Sequence, residues 1–304
     1  MTMTSTSGTL FAIKRYAVHD GPDLRVTIFF KGCPLSCLWC HNPEGMDFSL
    51  EILTRPEKCV ACGDCVPACP DAALSLGPAG PMRDTSCTLC GHCAEICPAL
   101  AHEAVGQIWT LEAVLAEIRK ELPFFQGTQG GVTFSGGEPL AQPDFLHALL
   151  VACGQEAIHR AVDTSGHAPW PVLERIARHV DLFLYDLKHM DPHVHKQMTG
   201  VENSLILDNL TRLASSGAQI VVRVPLIAHI TDTPENLART ADFVAGLPGV
   251  RSCDLLPYHG LAQSKYAKLG RAFPGTHLVS VSQERIAAAG ALFTQRGLCV
   301  RIGG

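Results

Sequence analysis

The sequence predicts an α/β fold, in which a parallel sheet is closed or partly closed as a barrel and is interrupted by a small cysteine-rich insert. After residue 110, short β-branched runs alternate with helical stretches, an order that is typical of parallel strands joined by right-handed crossovers. Between residues 51 and 104 the composition changes abruptly, and cysteines recur there at short, regular spacing. We therefore expect the barrel to begin in 1–50 and to continue in 105–304, with the insert at 51–104.

Length and composition allow a large core and disfavour several classes of partner. The chain has 304 residues and a net charge of −5 without a basic stripe, so nucleic acid is not expected. No apolar run approaches the roughly 18 residues that cross a bilayer, and a membrane is not expected as a partner either. Fourteen cysteines without a secretory signal indicate metal ligation in a reducing compartment. We expect a cytoplasmic protein from a host that keeps oxygen low.

The first strand is expected at residues 25–30, and a loop with three cysteines follows it. Cys33, Cys37 and Cys40 are spaced C-x3-C-x2-C, with no fourth cysteine at ligand spacing. Three thiolates can hold three irons of a [4Fe–4S] cluster and leave the fourth iron open, which marks a reacting site rather than an electron carrier. A zinc knuckle or buried thiols are the alternatives. Because structural zinc takes four protein ligands, the iron–sulfur interpretation is favoured.

The insert contains two copies of the pattern C-x2-C-x2-C-x3-C-P, which begin at Cys59 and Cys87. Two such runs are typical of bacterial ferredoxins with two [4Fe–4S] clusters, in which the fourth cysteine of each run ligates the other cluster. Zinc ribbons, the alternative, lack the third cysteine and the Cys-Pro ending. A segment this small has little hydrophobic core, so the clusters must hold it together. The expected ligand sets are Cys59, Cys62, Cys65 and Cys97 for one cluster, and Cys87, Cys90, Cys93 and Cys69 for the other.

Strands and helices alternate through the rest of the chain. Thr110 can cap a helix whose apolar residues share one face and that ends at Pro123. About six strands are expected to line the site, although an eight-fold barrel is possible on length alone. After the first strand, the predicted strands are 132–135, 160–163, 182–186, 219–224, 252–256 and 298–302. The predicted helices include 173–179, 205–216, 235–245 and 284–295.

Polar and glycine-containing motifs follow the predicted strands, at the edge where β/α barrels carry their chemistry. Two glycines after the second strand let the backbone approach a ligand because they have no Cβ, and Arg223 can bind a carboxylate through charge-assisted hydrogen bonds. Taken singly, such motifs are also explained by a glycine turn, a strand-end cap or a surface ion pair. Together they indicate one site. The candidate ligand-binding residues are Trp39, Gly136, Gly137, Glu138, Asp163, Asp186, Lys188, Arg223 and His259.

The cysteine loop and its surroundings carry a resemblance to a known family. The spacing of the three cysteines resembles the signature of the radical S-adenosylmethionine enzymes. The sequence Cys-His-Asn-Pro-Glu at 40–44 is similar to that of the glycyl-radical-enzyme activating enzymes, relatives of the pyruvate formate-lyase activase. Those enzymes usually have Asp-Gly-Pro-Gly before the arginine of the first strand, where this chain has Asp23 in place of the second glycine. The resemblance extends from residue 10 to about 270.

The resemblance implies the fold class in full: α/β, a partial (β/α)6 TIM-like radical S-adenosylmethionine barrel with an inserted bacterial-type 2[4Fe–4S] ferredoxin domain. It implies that Cys33, Cys37 and Cys40 are the catalytic cluster ligands, with the open iron chelated by the amino and carboxylate groups of S-adenosylmethionine. An electron from that cluster then cleaves S-adenosylmethionine. The resulting 5′-deoxyadenosyl radical abstracts hydrogen from a glycine of a partner glycyl radical enzyme.

The resemblance also implies roles for the residues at the strand ends. The Gly-Gly-Glu-Pro turn at 136–139 takes the methionyl ammonium group, and Asp186 and Lys188 contact the ribose and the carboxylate of the ligand. His259 lies in a Leu-Leu-Pro-Tyr-His stretch that is similar to the part of the activases that reaches the nucleoside. Asp163, together with Asp186, helps to hold a monovalent cation beside the ligand.

The implied cofactors and partners follow from the same comparison of motifs. Three [4Fe–4S] clusters, one that binds S-adenosylmethionine and two auxiliary ones, are expected. The partners are a glycyl radical enzyme and a low-potential electron donor such as flavodoxin or ferredoxin. Because the pyruvate formate-lyase activase lacks a ferredoxin insert, the insert implies an activase of another glycyl radical enzyme, one that acts on choline, glycerol, isethionate, hydroxyproline or aryl compounds. The auxiliary clusters either relay electrons or dock the partner.

Two other functions compete with this one. A radical S-adenosylmethionine enzyme that acts on a small molecule would turn over a metabolite without any glycyl protein, and the motifs at 40–44 and 255–259 argue against it. A ferredoxin-type electron-transfer subunit would explain the eight cysteines of the insert but would leave the three-cysteine loop and the strand-end motifs without a role.

Some residues that could ligate a metal are better explained in other ways. His189, His193 and His195 are close in sequence, but Pro192 breaks their regular spacing, and a solvated helix start is expected there. The three remaining cysteines are expected to be core or strand thiols, because free cysteine behaves as a small hydrophobic residue. These are Cys153, Cys253 and Cys299.

Overall fold

The computed structural model describes residues 6–303. Residues 1–5, at the start of the predicted barrel segment 1–50, and residue 304, at the end of the segment 105–304, lie outside the described residues. The strands are β1 (Ser7–Ala17), β2 (Arg25–Phe30), β3 (Glu51–Thr54), β4 (Leu74–Gly77), β5 (Gly80–Arg83), β6 (His102–Val105), β7 (Gln107–Thr110), β8 (Gly131–Gly136), β9 (His159–Thr164), β10 (Leu182–Asp186), β11 (Ile220–Leu226), β12 (Ser252–Pro257) and β13 (Cys299–Ile302). The helices are α1 (His92–Glu95), α2 (Leu111–Arg119), α3 (Leu122–Phe125), α4 (Pro143–Gln155), α5 (Trp170–Ala177), α6 (Pro192–Thr199), α7 (Ser204–Ser215), α8 (Pro234–Ala245), α9 (Gln263–Lys268) and α10 (Gln283–Thr294).

Within residues 6–303 the main sheet has nine strands in the order β13-β12-β11-β10-β9-β8-β2-β1-β7. Neighbouring strands from β2 to β13 are all parallel, whereas β1 pairs antiparallel with both β2 and β7. The outermost strands, β13 and β7, do not pair with each other in this part of the chain, so the sheet is open. The predicted α/β partial barrel with parallel strands is therefore confirmed.

The barrel core lies between the parallel strands and the helices that connect them. Every residue of β2 is buried, as expected for a parallel strand covered on both faces. Helices α4, α5 and α7 contribute apolar side chains to the same core cluster, including Leu146, Leu173 and Leu210. Across residues 6–303, no helix combines the length and the apolar character that spanning a bilayer requires.

The helix predicted to end at Pro123 is shorter than expected. Its start is confirmed, because the side chain of Thr110 accepts a hydrogen bond from Ala113 N at 3.2 Å. Helix α2 ends at Arg119, however, and Pro123 lies in the first turn of the separate helix α3. The predicted end was wrong because proline is tolerated in the first turn of a helix, where its missing N–H has no intrahelical partner to lose.

The insert is built on two small antiparallel pairs. Strands β3 and β6 pair with each other and enclose the eight cysteines in the sequence, and β4 and β5 form a hairpin between the two cysteine runs. Its buried apolar cluster consists of Ile52, Leu74 and Cys93, with a few partly buried neighbours. So small a core is consistent with a segment that depends on bound clusters for its stability.

A buried ion pair joins the insert to the cysteine loop of the barrel. Lys31 is fully buried, and its Nζ lies 2.7 Å from Glu51 Oε2 and 2.8 Å from the carbonyl oxygen of Glu44. The other carboxylate oxygen of Glu51 lies 2.5 Å from Arg271 Nη2. Glu51 thus connects the residue two positions before Cys33, the first strand of the insert and the segment after α9.

Glu51→Ala is expected to lower the free energy of unfolding by about 3–5 kcal/mol, because it leaves Lys31 charged, buried and without its carboxylate. Urea unfolding of the anaerobic protein, followed by tryptophan fluorescence, measures the change. Glu57→Ala is the matched control, since Glu57 also joins the insert to α9, through an ion pair with Lys268 in which Glu57 is exposed and Lys268 is partly exposed. That pair is expected to contribute at most about 1 kcal/mol. Equal effects of the two substitutions would contradict the assigned role of Glu51.

Candidate active site

A cavity of about 510 Å³ lies at the carboxyl edge of the parallel strands. Its wall includes the cysteine loop after β2, the glycine turn after β8 and the ends of the strands β9 to β12. Of the barrel residues predicted for the site, the structure brings all except Glu138 into this wall. Because the carboxyl ends of parallel strands meet at one edge, motifs that are far apart in sequence share a single cavity.

The three-cysteine loop is held in place by backbone hydrogen bonds to neighbouring segments. Ser36 N donates to Thr199 O at 2.7 Å, and Cys33 N donates to Met46 O at 3.1 Å. Burial raises the pKa of all three thiols, to about 12 for Cys40. Thiolates in this position therefore need a cationic partner, and iron ions would supply the compensating charge.

The two glycines after β8 are required by the packing of the protein itself. A Cβ at Gly136, whose φ is +119°, would lie 2.4 Å from the backbone of Phe30, and one at Gly137 would lie 2.3 Å from Gly45 O. Both glycines also line the cavity. Their lack of a side chain therefore permits close contact between the cysteine loop and β8, in addition to the approach of a ligand that the sequence predicts.

Glu138 lies behind the cavity wall, and donors of the protein occupy its carboxylate. Oε1 accepts hydrogen bonds from Thr164 Oγ1 at 2.7 Å and from Leu140 N at 3.1 Å. Oε2 accepts from Ser165 N at 2.9 Å and from Ser165 Oγ at 2.6 Å. Burial raises the pKa of this carboxyl, and these hydrogen bonds oppose the shift. Glu138 thus fixes the glycine turn to the end of β9, and its geometry favours positioning over contact with a ligand's ammonium group.

Two ion pairs face the cavity from neighbouring strand ends. Asp186 lies opposite Arg223 in the parallel register of β10 and β11. Lys188 Nζ lies 2.8 Å from Asp186 Oδ2, and Arg223 Nη1 lies 3.3 Å from Asp163 Oδ1. Burial by itself would lower the pKa of Lys188, but the Asp186 carboxylate together with the sulfurs of Cys37 and Cys33 outweighs burial, and the pKa is raised. Burial raises the pKa of Asp163 to about 6, against the opposing effect of Arg223. The wall therefore carries cations and carboxylates side by side.

Arg223 retains a donor for a ligand. Its Nε is buried and has no hydrogen-bond partner among residues 6–303, and the residue lines the cavity. Its ionic partner Asp163 is held from the other side by Ser135, whose Oγ donates to Asp163 Oδ2 at 2.7 Å. Because a buried donor without a partner costs free energy, an acceptor on a bound molecule would stabilise this arrangement.

An apolar surface forms another side of the cavity. Trp39 is buried among Leu35, Ile227 and Tyr258, and all of these residues line the cavity. The cavity therefore offers a surface for an apolar or aromatic part of a ligand, beside the charged residues at the strand ends. Because Trp39 lies within the cysteine loop, the apolar surface of the cavity adjoins the three thiols.

His41 belongs to the wall but was missed by the sequence reasoning. Its ring stacks on that of His259 with centroids 4.2 Å apart, and its Nε2 lies 3.1 Å from the carbonyl oxygen of His259. Burial lowers the pKa of His41 to about 4, and His259 adds to the shift, so the neutral ring donates from Nε2. Ser135 and Thr164 were also missed, although each is adjacent to a predicted residue at a strand end, which is the signal that could have identified them.

The cysteines of the insert line two further cavities. One is lined by Cys59, Cys62 and Cys65 from the first run and by Cys97 from the second. The other is lined by Cys87, Cys90 and Cys93 from the second run and by Cys69 from the first. The structure thus groups the cysteines in the crossed sets that the sequence pattern predicts.

The histidines at 189–195 do not form a common site. Helix α6 starts at Pro192 and is capped by Asp191, whose Oδ1 accepts from His193 N at 2.9 Å. A solvated helix start was expected, but His195 is buried. Its Nδ1 lies 2.7 Å from Val201 O, so the expectation was wrong for this residue. His195 lies on the inner face of α6, where a backbone carbonyl satisfies its ring.

Comparison with known proteins agrees with the geometry. The model of the Radical SAM superfamily matches residues 80–244, and that of the 4Fe-4S dicluster domain matches residues 58–101. The trans-4-hydroxy-L-proline dehydratase activating enzyme of Clostridioides difficile is 40% identical over 296 residues, which cover 96% of this chain and 98% of that protein. The choline trimethylamine-lyase activating enzyme of Oleidesulfovibrio alaskensis is 39% identical over 279 residues, 90% of each chain.

The chain belongs to the glycyl-radical-enzyme activating enzymes of the radical SAM superfamily. It is therefore an enzyme that cleaves S-adenosylmethionine at an iron–sulfur cluster to generate a radical for a partner glycyl radical enzyme. A solved domain of a pyruvate-formate lyase-activating enzyme from Bacteroides vulgatus is 38% identical and has a TM-score of 0.50. It covers 58% of this activase and 99% of its own chain.

Glu138→Gln is expected to lower the free energy of unfolding of the activase by about 1–3 kcal/mol. Both carboxylate oxygens accept hydrogen bonds, so the NH₂ group of the glutamine would face donors in place of one of these oxygens. Thermal unfolding measures the change. Glu156→Gln is the matched control, since Glu156 makes a surface ion pair with Arg119, and its effect is expected to stay within about 0.5 kcal/mol. Unchanged stability of Glu138→Gln would show that the four donors do not hold a carboxylate.

Proposed function

We propose that this activase binds S-adenosylmethionine in the cavity of about 510 Å³, against a [4Fe–4S] cluster held by Cys33, Cys37 and Cys40. Two further [4Fe–4S] clusters, in an insert that spans 51–104, serve this site. The observation that carries the proposal is one wall that combines three thiols, two charged pairs and a buried Arg223 Nε that has no hydrogen-bond partner in the described part of the chain. A bound molecule with a carboxylate and a cationic group matches that wall.

The size and charge of the cavity fit this ligand. Cavities of roughly 300–1,000 Å³ are typical for molecules of this size. The carboxylate of S-adenosylmethionine would satisfy Arg223, through a charge-assisted hydrogen bond that a neutral acceptor matches less well. Its ammonium group suits the backbone carbonyls of the turn with Gly136 and Gly137. Its sulfonium charge is favoured by the neighbouring carboxylates of Asp163 and Asp186.

The nucleoside part has its own candidate contacts. The ribose lies within reach of Asp186 and Lys188 in this proposal, and the adenine lies beside His259 and the apolar surface around Trp39. Aromatic rings of a ligand and a protein pack favourably in such positions. A monovalent cation between Asp163 and Asp186 is supported by their mutual repulsion, since the charge of Asp186 adds to the raised pKa of Asp163.

When bound, the cluster supplies the electron that cleaves S-adenosylmethionine to methionine and the 5′-deoxyadenosyl radical. The chain itself orients the ligand and limits the access of water. Buried Trp39 and Tyr258 cover one side of the cavity, and the ion pairs at the strand ends restrain the other. Leu261, which is strongly exposed, follows β12 near the rim. We propose that this open rim admits a glycine-bearing loop of the partner glycyl radical enzyme.

The exposure of cysteines in the insert supports a supply of electrons from another protein. Cys62 and Cys90 are exposed, one in each of the two cysteine sets, so a low-potential donor such as flavodoxin or ferredoxin could reach either cluster. We propose that the auxiliary clusters relay electrons to the site cluster. The fourteen cysteines form no disulfide bond within residues 6–303, which suits a reducing compartment, and we infer a cytoplasmic location.

The combined substitution of Cys33, Cys37 and Cys40 by Ala is expected to remove about a third of the bound iron and to abolish cleavage of S-adenosylmethionine by dithionite-reduced protein. Iron analysis and quantification of 5′-deoxyadenosine measure the two effects. Cys299→Ala, which removes an exposed thiol of β13, is the control and is expected to leave both unchanged. Full iron content in the triple variant would refute the assignment of these ligands.

Cys62→Ala tests the relay. It is expected to slow cleavage of S-adenosylmethionine at least tenfold when a protein donor supplies the electrons, even without the glycyl radical enzyme, because one carrier is lost. The formation of 5′-deoxyadenosine over time is the measurement. Unchanged cleavage together with weaker binding of the partner would instead assign the insert to docking.

A further inference from the structure

The two cysteine runs of the insert fold as near copies of each other. Ala73 N lies 3.3 Å from the sulfur of Cys69, and Ala101 N lies 3.2 Å from the sulfur of Cys97. The residue before each of these alanines has a positive φ, 49° at residue 72 and 52° at residue 100. Positions that are five residues after the fourth cysteine of each run are therefore structurally equivalent.

The equivalent positions carry different side chains. Leu74, five residues after Cys69, lines the cavity of the cysteine set to which Cys69 belongs. His102 follows Cys97 and lines the cavity of the set formed by Cys59, Cys62, Cys65 and Cys97. We refer to this second cavity as the His102 cavity. One copy of the repeat thus presents an apolar side chain to its cavity, and the other presents an imidazole.

One ring nitrogen of His102 has no hydrogen-bond partner among residues 6–303. The residue is buried, with only 2% of its surface exposed. Its Nδ1 lies 3.4 Å from Thr54 Oγ1, the residue opposite it in the pairing of β3 and β6. Its Nε2 is buried and has no hydrogen-bond partner in the part of the chain that the structure describes. When the Thr54 hydroxyl donates to Nδ1, the proton of the ring lies on Nε2.

We propose that His102 Nε2–H donates a hydrogen bond to a sulfur of the cluster in the His102 cavity and raises the reduction potential of that cluster. This inference rests on the proposed auxiliary clusters and goes beyond them. One-electron reduction adds negative charge to the cluster, and an N–H donor stabilises the added charge. The electron comes from the low-potential donor, and no proton needs to be transferred. His102 is a positioning residue for electron transfer, not a catalytic residue.

Other charged and polar groups near the clusters differ from His102 in kind. Asp64 also lines the His102 cavity, while Asp71 and Arg83 line the other one. His92 Nδ1 lies 3.3 Å from the sulfur of Cys90, but His92 is exposed. Water screens the exposed side chains of Asp64 and His92, and less fully the half-buried Asp71 and Arg83, whereas the buried Nε2 of His102 acts in a medium of low dielectric constant. A substitution at His102 is therefore expected to affect one cluster selectively.

The test uses the full-length chain in which Cys33, Cys37 and Cys40 are replaced by Ala, so that only the auxiliary clusters contribute. Anaerobic redox titration followed by electron paramagnetic resonance measures their midpoint potentials. His102→Leu copies the side chain of the other repeat, and His102→Gln places an amide N–H near the position of Nε2. His193→Leu, at an exposed histidine of α6, is the control.

The expected result is that His102→Leu lowers one of the two potentials by at least 59 mV, a tenfold change in a one-electron equilibrium constant. The other potential stays unchanged, and His102→Gln restores most of the loss. If His102→Leu fails to retain iron, His102→Asn, which withdraws the donor from the Nε2 position, is expected to give the same shift.

Two results would overturn the inference. Potentials that do not change in variants with full auxiliary iron, or that fall equally for both clusters, would show that His102 makes no selective hydrogen bond. An absence of auxiliary clusters in the parent protein, seen by iron analysis, would instead refute the proposed cofactor content and the inference with it.

Discussion

The structure depends on a single constraint, the parallel alignment of the strands from β2 to β12, which brings the end of each strand to the same edge of the sheet. The paired register places Phe30 beside Gly136 and Asp186 beside Arg223. The cysteine loop, the glycine turn and the charged pairs consequently surround one cavity. No single motif defines the site. Its chemistry arises because the sheet collects thiols, cations and carboxylates that lie far apart in the sequence.

Burial sets the electrostatics of this edge. Carboxylates and cations are withdrawn from water together with the thiols, and each of these charged groups is tolerated because a group of opposite charge compensates it. Lys188 is held by Asp186, and Arg223 by Asp163. For the three thiols, burial outweighs the opposing effect that Lys188 has on Cys37 and Cys40, and their pKa values are raised, which is the state expected of residues whose counter-charge is a metal cluster. Beneath this layer, Glu138 and Glu51 hold the loops in place with their own donors.

The sequence was sufficient for most of the barrel because strands covered on both faces are continuous apolar runs; the strand predicted at 182–186 coincides with Leu182–Asp186. It was not sufficient for β1 and β7, which lie at the antiparallel edge and are only partly buried. The motifs predicted residues that, except for Glu138, line one cavity, but they did not predict the partners of these residues. That Glu138 faces Thr164 and Ser165 rather than the cavity is a consequence of the fold, and no local pattern encodes it. Asp23, which replaces a glycine of the family pattern, adopts a φ of 53°, a conformation that aspartate tolerates.

In the insert, too, we expect the surrounding side chains to set the chemistry. Its two cysteine sets have equivalent backbones but different side chains around them, and these side chains would tune the proposed supply of electrons. The central claim remains the open iron beside Arg223. Electron–nuclear double resonance on the reduced activase, with S-adenosylmethionine labelled with ¹⁵N in its amino group and ¹⁷O in its carboxylate, tests that claim most directly. The account predicts hyperfine coupling between both labels and one cluster. Replacement of Cys33, Cys37 and Cys40 is expected to remove that cluster and, with it, the coupling. Absence of coupling from both labels, in protein with full iron content, would contradict it.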